Sequence, residues 1–367
     1  DNVVYDMFVD NNDALWLALD NGIARIDITS PLTYFNADLG LTSNVMSFER
    51  HNGTLYVGTT EGASYLDKNT GKFLPVTNMG FQCFDMIRVD GQLYTASQNG
   101  FQRIDGSVAV NPFVGPGGNL NALALHHYEK QPEYIILGAN RGAGLIKKKT
   151  DSTWELIGRV EGFNDPIWSI SEDEEGRLYL GTETDGILRL TFNNFPDLDD
   201  VEVERFNIDH GLPKGQTFIQ KLDDKMYFTP VKGFYTFDEV TERFIPDTTF
   251  GKKARDMGTV LTSNKAGDIY LSYYKGAAKV NKKQDNTFSI NETPFNPFAN
   301  AIVVNILAEE NGITWFATTM GLIRYDSNIE VNYEQEFNTL IREVTINDDS
   351  VLYFGTPHEN LDYTLSY

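Results

Sequence analysis

LYVGTTEGASYLD, residues 55–67, decides the fold. Apolar and aromatic residues come first, then a small residue, then a turn ending in glycine, then a second apolar strand. The same order returns as LWLALDNGIARID from Leu15, LYTASQNGFQRID from Leu93 and, more loosely, IILGANRGAGLI from Ile135. It continues as LYLGTETDGILRL from Leu178, MYFTPVKGFYTFD from Met226, IYLSYYKGAAKV from Ile269 and TWFATTMGLIRYD from Thr314. The starts are 40, 38, 42, 43, 48, 43 and 45 residues apart, the length of one four-stranded propeller blade.

Each column of the repeat has a physical reason. Asn21-Gly22, Asn99-Gly100 and Asp185-Gly186 are dipeptides of tight hairpins, whose turn residues need positive φ. A second turn stands before most hairpins, as at Asn52-Gly53, Asp90-Gly91, Glu175-Gly176 and Asn311-Gly312. Before that turn lies a further apolar strand, such as Val45-Met46-Ser47-Phe48 or Ile167-Trp168-Ser169-Ile170. The unit therefore reads strand A, turn, strand B, glycine turn, strand C, and a ragged strand D such as Thr33-Tyr34-Phe35. No helical periodicity competes. The expectation is an all-β chain, a propeller of eight four-stranded blades over residues 1–334, with seven as the alternative should one hairpin belong to a neighbouring ring. Trp16 and Trp315 fall in the aromatic column and are expected in the core.

The bulk numbers bound the partners. The chain has 367 residues and a formal net charge of −22. Such a surface repels polyanions within the limits of salt screening, which disfavours nucleic acid, anionic membranes and densely sulfated glycans. Cys83 is the single cysteine, so no intramolecular disulfide forms, and its apolar column predicts a buried, inert thiol. No stretch approaches the ~20 apolar residues of a membrane span. The opening residues fit neither a signal peptide nor an initiator methionine, and the sequence reads as a part of something longer.

GLTSNVMSFERHNGTLYVGTTEGASYLD, residues 40–67, and DPIWSISEDEEGRLYLGTETDGILRL, from Asp165, resemble the two-component regulator propeller repeat. The tail, FNTLIREVTINDDSVLYFG followed by LDYTLSY, resembles the opening of the triple-tyrosine domain, an immunoglobulin-like β-sandwich; residues 335–367 are assigned to a linker and its first strands. These resemblances imply the periplasmic or extracellular sensor region of a membrane-anchored regulator. Its output, a kinase or a DNA-binding segment, would lie outside this sequence. They further imply a small-molecule input, often a glycan fragment, and in many members a second propeller in tandem. Homodimerisation would run through the full-length protein, and contact with a membrane only through other segments.

In a propeller the D-to-A segments and the glycine turns share one face, where ligands usually bind. From that face Gln82, Asn164, Asp165, Trp168 and His210 are the predicted ligand contacts. Amides and charges pair with hydroxyls, while an aromatic ring covers a C–H face. For Trp168, packing between blades is the simpler reading, since large aromatics mostly belong to the core. No catalytic residue, metal ligand or cofactor site is expected. His126 and His127, adjacent on a strand, point to opposite faces and cannot easily share one ion. The acidic run Asp197 to Glu204 lacks the glycine-spaced loop of a calcium motif. Enzyme signatures such as G-x-S-x-G or His-Glu-x-x-His are missing. The rival readings are a propeller lyase, suggested by the Gly-x-x-Trp-Phe string from Gly312 to Phe316, and a protein-binding scaffold.

Overall fold

The computed structural model describes residues 3–10, 14–114, 120–150, 153–285, 287–333, 343–346 and 350–354. The chain divides into two units, Asp1–Glu330 and Val331–Tyr367. In the second unit the described strands are Glu343–Ile346 and Ser350–Phe354, paired antiparallel. The remainder of the expected β-sandwich lies outside the described residues.

The first unit is all-β save for short helical turns, and each hairpin of the repeat forms its own antiparallel sheet. Seven sheets have four strands. Blade I comprises Val45–His51, Thr54–Thr59, Gly62–Leu66 and Phe73–Pro75. Blade II comprises Cys83–Val89, Gln92–Ser97, Gly100–Asp105 and Val108–Val110. Blade III comprises Ala122–His127, Tyr134–Ala139, Ala143–Thr150 and Thr153–Arg159. Blade IV comprises Ile167–Glu172, Leu178–Thr182, Ile187–Phe192 and Val201–Phe206. Blade V comprises Thr217–Leu222, Lys225–Pro230, Tyr235–Asp238 and Arg243–Pro246. Blade VI comprises Gly258–Ser263, Ile269–Tyr273, Ala277–Lys282 and Phe288–Asn291. Blade VII takes three strands from the end of the unit, Val303–Ala308, Ile313–Thr318 and Gly321–Asp326, and its fourth, Leu32–Phe35, from near the beginning.

That borrowed strand corrects the expectation of an eight-bladed ring. The first strands of blades I to VII contact one another in order, and the first strand of VII touches that of I. Seven blades therefore close the ring, the alternative count. The first hairpin, with Val4–Val9, Ala14–Leu19 and Gly22–Asp27, forms a three-stranded sheet outside it. Thr33-Tyr34-Phe35, expected as its fourth strand, pairs with Leu322 to Arg324 of blade VII instead.

The consequence shows in burial. Aromatic-column residues Tyr94, Tyr179, Tyr270 and Trp315 are buried between blades, as expected. Trp16 occupies the same column yet is 37% exposed, its indole N–H donating to Asp10 at 2.8 Å. It lacks the neighbouring blades that would enclose it. Tyr5, Met7, Phe8 and Ile23 are exposed for the same reason, Phe8 at 65%.

The small-residue column has a packing cause. A Cβ on Gly58 would lie 2.6 Å from the Cys83 carbonyl oxygen, and one on Gly181 would lie 2.2 Å from that of Thr217. Strand B thus passes hard against the head of the next blade, where a side chain does not fit. After that column, Thr59, Ser97, Thr182 and Thr318 stitch their hairpins: each hydroxyl donates to the carbonyl of the turn glycine at 2.8–3.0 Å.

Candidate functional site

The glycine turns and the D-to-A segments meet at one end of every blade. The residue after strand B donates its backbone N–H to the carbonyl just before strand A in each: Thr60 to Asn44, Gln98 to Gln82, Asn140 to Asn121 and Glu183 to Pro166. The series continues with Val231 to Gln216, Tyr274 to Met257 and Thr319 to Ile302. This end of the ring is the candidate ligand face.

Strand A is innermost, so its free edge looks into the channel. Edge N–H groups need acceptors, and polar residues of strand A itself supply them. Asp85 accepts from its neighbour Met86 at 2.8 Å and from Leu125 of blade III at 2.9 Å. Ser169 accepts from Ile219 of blade V at 2.9 Å, and Gln220 accepts from Leu261 of blade VI. Asn305 accepts from Ile306 and donates to the Met46 carbonyl of blade I. This inter-blade girdle was missed in the sequence. Its signal is a polar residue two positions past the head of strand A in blades II, IV and VII, and three past it in blade V.

The girdle contains the wall's most perturbed carboxyl. Burial raises Asp85 to about 6, partly opposed by its two N–H donors; Glu49 raises it further and His126 lowers it. Burial likewise pushes Glu172 up. Hydrogen bonds from His126 at 3.2 Å, Glu129 N–H at 2.7 Å and Lys130 N–H at 3.3 Å outweigh that effect and hold it below the usual glutamate range. His127 turns the other way, to the Pro132 carbonyl at 2.7 Å, so the two histidines serve two separate structural bonds. Cys83 is fully buried, and burial drives its thiol far up, out of reach of nucleophilic chemistry. Among the described residues no cluster of three His, Cys, Asp or Glu side chains could hold a metal ion.

The predicted contacts divide into two groups. Gln82 and Asn164 are exposed at the ligand face, and their side-chain amides carry no bond to other described residues. Trp168, half-buried at the inner rim, packs edge to face on Phe84 of blade II with ring centroids 5.6 Å apart. Phe84 follows Gln82 by two residues, so this contact brings the Gln82 segment and the Trp168 segment together across blade III. Asp165 and His210 are engaged elsewhere. Arg205 grips the Asp165 carboxylate at 3.0 and 2.7 Å and holds it below the usual aspartate range. The His210 ring accepts from the Asn207 N–H at 3.2 Å in a capping box and packs on Phe206 at 5.2 Å. No hydrogen bond or ring contact joins it to Trp168. Phe84, which touches Trp168, is the residue of this candidate site that sequence reasoning left out; it shares the register column of Trp168.

Residues 161–184 match the family model described as two component regulator propeller. They run from the D-to-A segment of blade IV through its first hairpin, and so include Asn164, Asp165 and Trp168. Blade IV carries a two-component regulator propeller repeat. The ring is similar to the extracellular domain of the hybrid two-component system BT3049 of B. thetaiotaomicron, at 18% identity and a TM-score of 0.68, over 94% of this chain and 48% of that one. It is also similar to that of BT4673 of the same organism, at 15% identity and 0.62, over 95% and 50%. The chain thus spans about half the length of these structures. Virginiamycin B lyase of Staphylococcus aureus matches at 12% identity and 0.55, over 80% and 97%, a likeness of fold. Among curated proteins none matches.

Proposed function

We propose that the regulator propeller is an extracytoplasmic sensor that binds a glycan fragment at its glycine-turn face without turning it over. The Phe84–Trp168 pair carries this reading. It is an aromatic wall at the inner rim, and the free amides of Gln82 and Asn164 lie on the same segments. Aromatic rings cover the C–H faces of sugars and amides bond their hydroxyls. Asp165 and His210 act as the frame, through Arg205 and Asn207. The net charge of −22 favours neutral over polyanionic ligands. The likeness to extracellular domains of hybrid two-component systems of B. thetaiotaomicron supports the sensor role and the extracytoplasmic location. Titration calorimetry against neutral and acidic oligosaccharides, with mass spectrometry of each mixture, tests the proposal. Heat of binding with no new product supports it. Products accumulating over many turnovers would replace it with an enzyme.

A further inference from the structure

One D-to-A connector occurs twice. FNADLGL, residues 35–41, follows the last strand of blade VII, and FNIDHGL, residues 206–212, follows that of blade IV. In both, an asparagine caps a short helical turn: Asn36 accepts from the Asp38 N–H and Asn207 from the Asp209 N–H. A glycine with positive φ, Gly40 or Gly211, ends the turn, and Leu41 or Leu212 then enters the core. At three other places the copies differ. The blade VII copy has Ala37, Thr42 and Ser43, where the blade IV copy has Ile208, Pro213 and Lys214. Those last three line a cavity of about 180 Å³, together with Thr184, Asp185 and Gly186 of the glycine turn of blade IV.

The walls of this cavity are fixed. Asp185 and Gly215 form a β-bridge that ties the glycine turn to the connector. A Cβ on Gly186 would lie 2.1 Å from the Phe206 carbonyl oxygen, so the turn sits hard against the end of strand D. Ile208 is held 63% exposed by a turn that alanine serves in the other copy. Lys214 is exposed and bonds no other described residue. Asp185 gives one oxygen to Arg205 at 3.3 Å, and its other oxygen bonds no described residue. Arg205 also holds Asp165, so two cations and two carboxylates balance here. A cavity of ~150 Å³ holds benzene; this one therefore has room for a six-membered ring. Its lining offers an apolar wall, an acceptor and a donor, and hydroxyl groups pair with both of the latter.

Resting on the sensor reading above, we propose that this cavity, between the glycine turn of blade IV and the connector to blade V, holds one neutral sugar ring. Its C–H face packs on Ile208 and Pro213. One hydroxyl donates to Asp185 and another accepts from Lys214 Nζ. Asp165 and His210 serve the site from behind, through Arg205 and the Asn207 cap.

Two measurements on the whole chain test this. First, the protein labelled with ¹³C at isoleucine methyls is titrated with glucose, galactose, mannose, neutral oligosaccharides and glucuronate. Ile208→Leu assigns the relevant signal. The expected result is a shift of the Ile208 methyl with a neutral sugar and none with glucuronate. Second, calorimetry compares the parent with Lys214→Ala and Asp185→Ala, using the sugar that binds. Each change weakens binding about fivefold to tenfold, the loss of one net hydrogen bond. Lys265→Ala, beside the opposite turn Ala266-Gly267, binds as the parent does. Neutral-sugar binding that leaves the Ile208 methyl unmoved and both variants at parental affinity overturns this assignment and leaves the sensor reading standing. A shift of Ile208 with glucuronate alone overturns the neutral ring. No binding of any saccharide by the parent overturns the glycan-sensor reading and the assignment together.

Discussion

Asn305 of blade VII donates its side-chain amide to the Met46 carbonyl of blade I, 259 residues away, at 3.2 Å. With the strand Leu32–Phe35 on the far side of blade VII, it seals the ring on its inner edge. Asn305→Ala leaves that carbonyl and the Ile306 N–H without their partner, at a cost of about 1–3 kcal/mol. The expected outcome is a lower Tm with unchanged secondary structure by circular dichroism. An unchanged Tm removes the closing bond from the account.

Gly181→Ala places a Cβ 2.2 Å from the Thr217 backbone oxygen, which cannot yield without moving blade V. Overpacking of this kind costs about 1–3 kcal/mol. Gly80→Ala is the control, with nothing within 4 Å of its Cβ. Thermal melts should show a loss of several degrees for the first and none for the second. Equal melts would mean that the blades are not packed as tightly as described.

Asp85 gives stability a pH dependence of known sign. Burial raises its folded pKa from 3.8 to about 6. The native state therefore holds the proton more tightly, and stability falls as pH rises from about 4 to about 6, by at most about 3 kcal/mol. Asp85→Asn removes the charge and keeps one acceptor. The difference in Tm, variant minus parent, should grow across that window and then level off. A difference independent of pH contradicts a carboxyl raised by burial at this place.

The hairpins were legible because their information is local: Asn99-Gly100 or Asp185-Gly186 sets a turn, and the period sets the blade. The ring size was not. Thr33-Tyr34-Phe35 follows the first hairpin directly, and the period cannot say whether it completes that sheet or one more than 280 residues later. Trp16 was misplaced for the same reason, since its column is core only where neighbours stand on both sides. At the site, residue type alone ranked Asp165 and His210 with Gln82 and Trp168. What separates them is a partner distant in sequence, Arg205, and a local cap, Asn207, which only the folded chain reveals.

The three-stranded sheet outside the ring exposes Tyr5, Met7 and Phe8, a patch of the kind that drives association. Tyr5→Lys with Phe8→Lys should reduce concentration-dependent self-association, measured by sedimentation velocity, and leave the ring's melting unchanged. Loss of the ring's cooperative melting in this variant would show that the sheet belongs to the ring after all.

Hydrogen–deuterium exchange, with and without a saturating saccharide identified by the calorimetric panel, tests the central claim most directly. The account predicts protection at the glycine-turn face of blades II to IV, in residues 82–85, 121–124 and 164–169, with the opposite A-to-B turns at Asn52-Gly53, Asp90-Gly91 and Glu175-Gly176 unchanged. Protection confined to those opposite turns, or to the sheet outside the ring, would contradict it.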